Sequence, residues 1–190
     1  MKYKFILASS SARRKDLLDQ IGVVPDEIIA ADIDESPLKN ELPRDYVVRV
    51  ANEKALKVSE NYKDDIVLAA DTAVSCGRRI LPKCESDEQV RMCMKLLSGR
   101  QHSVYSAVCV ASPVGVSRKI VATKVKFKSL SRQEIAEYIK TGEGIGKAGG
   151  YAIQGMAATF VKNINGSYSS VVGLPLYEVK NILNGIGYGK

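Results

Sequence analysis

Apolar and polar positions follow two different periods along this chain, and the switches between them mark out its elements. Residues 3–8, YKFILA, are a short apolar run of strand type. Three serines at 9–11 break it ahead of an amphipathic helix carrying Leu17, Leu18 and Ile21. After Pro43, the spacing of Val47, Val50, Ala51 and Val58 predicts a second helix with one apolar stripe, and Glu53 lies four residues before Lys57 on its wet side. IVLAA at 66–70 is an unbroken apolar run, which predicts a strand covered on both faces.

Ser86 with Gln89 reads as a capping box for a helix whose inner stripe is Val90, Cys93, Met94 and Leu97. Strands around 102–111 and 119–128 flank the Pro113–Gly115 turn and predict a hairpin. Ser131 with Glu134 opens a further capped helix, which runs into the glycine-rich TGEGIGKAGG. YAIQG, ATFVKNI and SSVVGLP read as strand or loop, and PLYEVKNILNG closes the chain as a helix with Pro at its start and Gly185 past its end. Strands alternating with helices early and hairpins later predict α/β architecture with a mixed sheet.

Composition narrows the class. In 190 residues, 45% hydrophobic and 26% charged side chains describe one large globular domain and exclude a disordered or collagen-like chain. The N-terminal MKYKFILASSSARRKDLL runs from a short apolar core into an amphipathic stretch, which predicts neither a signal peptide nor a membrane span. The four cysteines form no Cys-x-x-Cys pair, and with a single histidine they offer no structural zinc site, so they read as reduced packing thiols of a cytoplasmic protein.

The net charge of +7 invites a polyanionic partner. Residues 1–100 are balanced, however, at 17 basic and 17 acidic side chains, while residues 101–190 carry 11 and 4. In the second half, the cluster Arg118, Lys119, Lys124, Lys126, Lys128 and Arg132 includes lysines alternating with Val125 and Phe127, the period of a strand with one wet face. Absent Trp and sparse aromatics argue against a base-stacking surface.

Several residues invite chemistry. Ser9 to Arg14 place serines and two arginines at a helix start, either a serine cap with solvent-facing arginines or an anion site built from free amides and guanidinium forks. Asp71 and Thr72 follow IVLAA, where α/β sheets bind ligands beyond their strand ends; a carboxylate there can hold a divalent cation or take a proton from water. Glu35 has Asp32 and Asp34 as neighbours. Lys54 shares the stripe of Val50, Ala51 and Val58, so its ammonium either snorkels out or enters a cleft. With Lys83 and Lys147 it suggests a cationic pocket. GEGIGKAGG lacks the Walker order, and its GxGxxG match follows no strand, so neither motif is assigned. His102 reads as a strand residue.

ILASSSARRKDLL, DIDES, LAADTAV, the lysine of LPKCES, LSGRQHSVYSAV and KAGGYAIQG…NGSYSSVVGLPL together resemble the Maf family of nucleoside triphosphate pyrophosphatases, in order across nearly the whole chain. The resemblance implies one Maf-like domain over residues 1–190, an elongated mixed sheet flanked by helices, with two lobes around a cleft, related to inosine triphosphatase. It implies cytoplasmic hydrolysis of the α–β phosphate bond of a nucleoside triphosphate with a divalent cation, Mg²⁺ or Mn²⁺, and a homodimer. The substrate is the expected partner, with no specific nucleic acid and no membrane. By the same resemblance Asp71 is the proton acceptor, assisted by Lys54 and Lys83. Glu35 and Asp71 hold the metal; Ser9, Arg13, Arg14, Thr72, Lys147 and Gln154 bind substrate, with Arg13, Thr72 and Gln154 at base-selecting positions of the dTTP/UTP branch.

This chain departs from the family pattern in having Cys84 for Pro, Ser106 for Thr and Gly146 for Asp, the last removing a carboxylate beside the site. Two alternative functions are a basic nucleic-acid-binding module and an inhibitor of septum formation acting without catalysis.

Overall fold

The computed structural model describes residues 3–189; Met1, Lys2 and Lys190 lie outside it, and with them the first two residues of the N-terminal segment read above. Its core is a seven-stranded mixed sheet. β1 (Phe5–Leu7) lies between β2 (Glu27–Ile28) and β3 (Ile66–Cys76), parallel to both. The other side of β3 pairs antiparallel with β5 (Gln101–Ser112), which pairs with β6 (Gly115–Phe127), and β6 with β7 (Val161–Asn165). β4 (Arg79–Ile80) folds back on the end of β3.

Strand parity assigns the packing. Val67, Ala69 and Ala73 face α2 (Pro43–Ser59), whose Val47, Ala51, Ala55 and Val58 cover them. Leu68 and Ala70, with Val108 and Val110, face α1 (Ala12–Gln20) and α6 (Leu176–Gly185). Farther along, Val74 and Val104 belong to a third cluster with α3 (Asp87–Leu97) and α4 (Arg132–Lys140).

The helix starts after Pro43, Ser86 and Ser131 are found, as are the hairpin and the lysine alternation: Val125 and Phe127 are fully buried between exposed or half-buried lysines. Other expectations need correction. The strand read at 66–70 continues to Cys76, because nine consecutive residues, Val67 to Ser75, pair with β5. Asp71 and Thr72 therefore lie within a strand and not beyond its end. The Ser86 box is half formed: Ser86 accepts from the Gln89 amide, but the Gln89 side chain turns to the Glu85 amide. SSVVGLP contains a helix, α5 (Tyr168–Val172), capped by Ser167 and stopped by Gly173 at φ 140°. ATFVKNI divides between a 3₁₀ turn (Met156–Phe160) and β7. Gly185 is the last residue of α6, and the left-handed C-terminal role falls to Gly187 (φ 77°): its amide bonds Asn184 and that of Tyr188 bonds Leu183, a Schellman closure that lays the Tyr188 ring on Phe5.

Candidate active site

β1 ends at Leu7, and its last link to β3 is the Ala8 amide bonding the Leu68 carbonyl. β3 runs on without that neighbour until the Leu81 amide bonds the Val74 carbonyl. Between these points one edge of β3 is bare. Because successive side chains point to opposite faces, Asp71 projects to the α2 side and Thr72 to the other, so the two straddle the edge. A cleft of about 1210 Å³ opens along it. The ligand-site rule for α/β sheets thus applies to the carboxyl end of β1, although Asp71 sits mid-strand.

All ten side chains singled out in the sequence line this cleft: Ser9, Arg13, Arg14, Glu35, Lys54, Asp71, Thr72, Lys83, Lys147 and Gln154. On the α2 side the small residues Ala69, Ala73 and Ala107 let the helix approach, and the Lys54 stem reaches past them. Lys54 is 7% exposed and Asp71 6%, so the ammonium enters the cleft instead of snorkelling out. Its Nζ lies 3.0 Å from Asp71 Oδ1 and 2.8 Å from Glu35 Oε2. Asp71 Oδ2 is buried with no hydrogen-bond partner. The loop bearing Glu35 is tied to α2, since the Tyr46 hydroxyl donates to the Glu35 carbonyl and Arg49 Nη2 to that of Ser36. Burial first, and then Asp71 and Glu35, push the Tyr46 phenol upward, so it stays a neutral donor.

At the end of β1, the serine turn leads into α1. Ser11 occupies the N-cap but its side chain makes no capping bond. Ser9 Oγ instead accepts from the Ser11 amide at 3.2 Å and from Arg14 Nη1 at 3.0 Å, while Arg14 Nε donates to the Gly173 carbonyl at 3.0 Å. The serine-cap reading with solvent-facing arginines therefore fails, because Arg14 is held inward. Its pKa is lowered chiefly by burial, with Asp71 opposing and Arg13 adding to the shift, and burial also lowers that of Arg13.

The third wall comes from the glycine-rich segment. Lys83 and Ala148 form an antiparallel bridge, flanked by Gly149 N–H to the Pro82 carbonyl (2.9 Å) and Cys84 N–H to that of Lys147 (3.1 Å). This ladder puts Lys83 and Lys147 on the same rim, and it uses the backbone donor that Cys84 has and proline lacks. Gly149 (φ 66°) packs on Val74 so tightly that a Cβ would stand 2.8 Å from the Val74 side chain. Gly146 is also left-handed (φ 69°), but a Cβ there would meet nothing within 4 Å, so the missing carboxylate of the family pattern is not a steric exclusion. The Lys147 ammonium is depressed first by burial and next by Arg13 and Lys83, with Glu143 opposing. These are cations in mutual repulsion, and an anion relieves it.

Sequence reasoning missed Tyr46 and Glu143, which also line the cleft, the Gly173 carbonyl, and the hydroxyls behind Thr72. Glu143 lies within the glycine-rich run and its Oε2 accepts from the Met156 amide, steadying the turn that carries Gln154. Only its place in that run could have signalled it.

The fold and site define a mixed α/β protein with a cleft lined by arginines and lysines at a bare strand edge. The chain matches the Maf-like protein family over residues 4–186 and belongs to it. It is 53% identical over 184 residues to a dTTP/UTP pyrophosphatase of Caulobacter vibrioides, covering 96% of this chain and 95% of that one. It is 55% identical over 183 residues to a dTTP/UTP pyrophosphatase of Sphingopyxis alaskensis, with 96% of each chain covered. A nucleoside triphosphate pyrophosphatase of Ehrlichia canis shares 56% over 180 residues, covering 94% of each. Among solved structures, the Ham1 protein of Staphylococcus aureus overlays with a TM-score of 0.50 at 12% identity, covering 95% of this chain and 98% of that one, a likeness of fold alone.

Proposed function

We propose that this protein hydrolyses a nucleoside triphosphate, with dTTP and UTP preferred, to the monophosphate and pyrophosphate in the cytoplasm. The observation that carries this reading is the buried Asp71 carboxylate, with one oxygen on Lys54 and the other unpartnered, facing Arg13, Arg14, Lys83 and Lys147 across a single cleft. The names of its relatives at about half identity support the same activity and the pyrimidine preference.

A divalent cation fits the donor chemistry. Among the described residues no cluster of three or more His, Cys, Asp or Glu could hold a metal alone. Two hard carboxylates, Asp71 and Glu35, face the phosphate-binding cations, however, and Mg²⁺ is commonly held by one or two carboxylates with phosphate oxygens and water completing the set. Asp71 Oδ2 is the free buried oxygen such an ion would take. When bound, the ion would draw charge from the phosphates.

The chain's own residues do the rest. Arg13 offers a guanidinium fork to the phosphate oxygens, and Arg14, held by Gly173 and Ser9, offers its remaining N–H groups, with the free amides at the start of α1 behind them. Lys83 and Lys147 approach from the opposite rim, where charge develops on departing pyrophosphate. Lys54 fixes the Asp71 carboxylate in place. Asp71 takes the proton of a water whose oxygen attacks the α-phosphorus; a new P–O bond forms, the bond to the bridging oxygen breaks, and that oxygen leaves with pyrophosphate.

The structure lends nothing to a nucleic-acid stripe along β6 and the residue after it, where Lys124 is bonded to Ser103 and Lys128 is paired with Glu134. Among the described residues no helix is long and apolar enough to cross a membrane. The test is pyrophosphate release from dTTP and UTP by the wild type and by Asp71→Asn, with Mg²⁺ or Mn²⁺. The variant is expected to keep its circular dichroism and lose turnover; full activity in it would sink the assignment.

A further inference from the structure

Behind Thr72 stands a chain of hydroxyls that the catalytic reading does not use. Along one face of β3 run Leu68, Ala70, Thr72 and Val74; along the same face of β5 run Val104, Ser106, Val108 and Val110. Thr72 and Ser106 are register partners, and they form the polar gap between two apolar clusters. Ser106 is fully buried and does not line the cleft, whereas Thr72 does. A hydroxyl buried among valines carries a desolvation cost unless both its donor and its acceptor capacity are used.

The direction of the bonds follows by elimination. Ser106 Oγ lies 2.7 Å from the backbone carbonyl of Ser170 in α5 and 2.9 Å from Thr72 Oγ1. A carbonyl has no proton to give, so the single hydroxyl proton of Ser106 goes to Ser170. Ser106 can then only accept from Thr72, and the Thr72 proton is committed away from the cleft. Thr72 is left with lone pairs facing the ligand.

We propose that Ser106 is a positioning residue for base selection, holding Thr72 as an obligate hydrogen-bond acceptor so that the cleft favours a base whose ring nitrogen carries a proton, as N3 does in uracil and thymine, over one that presents a lone pair there, as cytosine does. The inference rests on the nucleotide site proposed above and on the base lying against Thr72. α5 is then shared by both ends of the substrate: its Ser170 carbonyl orients the base-side relay, and the Gly173 carbonyl that follows it holds Arg14 on the phosphate side. A site built to accept a particular proton leaves buried polar atoms unpaired when that proton is missing, which discriminates more sharply than shape. Ser106→Ala releases the Thr72 proton to turn toward the cleft, where it can be donated to a lone pair.

The test separates binding from turnover. Dissociation constants for the non-hydrolysable α,β-methylene analogues of UTP and CTP are measured by calorimetry with Mg²⁺ on the wild type, Ser106→Ala, Ser106→Thr and Thr72→Val. The wild type is expected to bind the uridine analogue at least about tenfold more tightly. Ser106→Ala and Thr72→Val should each narrow that ratio several-fold, and Ser106→Thr, which keeps a hydroxyl, should preserve it. A ratio near one in the wild type, an unchanged ratio in Ser106→Ala, or equal losses for both analogues overturns the relay. If Ser106→Ala fails to fold, an unchanged ratio in the cleft-facing Thr72→Val does the same. A wild type that discriminates the analogues yet releases no pyrophosphate refutes the enzymatic reading and leaves the relay standing; one that turns over UTP and CTP alike, with equal binding, refutes the relay and the preference for dTTP and UTP but leaves the pyrophosphatase activity standing.

Discussion

His102 sits at the base of one cleft wall, and its burial makes a quantitative prediction about pH. It is 1% exposed, edge-on to the rings of Phe127 and Tyr151, with Nε2 2.8 Å from the Tyr151 hydroxyl and Nδ1 unpartnered. Burial, with no carboxylate to offset it, lowers the imidazole from 6.5 to about 4. Between those values the unfolded chain binds a proton that the native chain refuses, so stability is fully present above pH 6.5 and is lost as pH falls toward 4. At about 1.4 kcal/mol per pH unit the whole window amounts to about 3 kcal/mol. Of this, about 2 kcal/mol is lost between pH 7.5 and pH 5.

The perturbation is His102→Phe. It keeps the aromatic packing and removes the titration, at a cost of about 1–3 kcal/mol at neutral pH for leaving the Tyr151 hydroxyl unpaired. Urea unfolding of both proteins at pH 7.5 and pH 5 cancels the other titrating groups. The wild type should lose about 2 kcal/mol more than the variant over that interval. Equal losses would refute the neutral buried imidazole.

Two further predictions concern the walls. Lys54→Met leaves the Asp71 carboxylate buried without its cation and should destabilise by about 3–5 kcal/mol, part of it recovered in Lys54→Met/Asp71→Asn; urea midpoints of the cycle check this, and additivity would break the pairing. Gly149→Ala combines a left-handed backbone with a methyl 2.8 Å from Val74 and should cost about 2–4 kcal/mol, with pyrophosphate release falling as Lys83 and Lys147 separate; a stability change within about 0.5 kcal/mol would show that the contact is soft.

Helix starts were legible wherever a cap or proline stands before an apolar stripe, because those signals are local. The length of β3 was not: Asp71 is a poor strand signal that interrupts the apolar run, and pairing with β5 carries the strand through it. α5 was misread for the converse reason. Its serines and valines favour extended chain, and the helix is imposed from its two ends by Ser167 and Gly173. The stripe position of Lys54 left two outcomes open, and the alanines opposite decided between them, which requires knowing which strand lies beneath the helix. The site residues were legible as a set only through a family resemblance. The Ser9–Arg14–Gly173 linkage spans 159 residues at its longer step, and no periodicity reports a contact of that kind.

Charge shows why position outweighs number. The +7 excess belongs to the second half of the chain, yet its lysine stripe on β6 is partly answered by Ser103 and Glu134 and lies at the surface, where screening is strong. The cleft draws Arg13, Arg14, Lys54 and Lys83 from a first half with no net charge and adds Lys147. Lys54 is answered internally by Asp71 and Glu35. Among the described residues Arg13, Lys83 and Lys147 form no ion pair: all three line one cleft, and Arg13 and Lys83 join burial in depressing Lys147, with Glu143 only partly opposing. Partial burial strengthens the repulsion at Lys147 and leaves it for a ligand to neutralise. The three linked phosphates of a nucleoside triphosphate supply several negative charges along one line, which matches a cleft with cations on opposing rims better than it matches an exposed strand face.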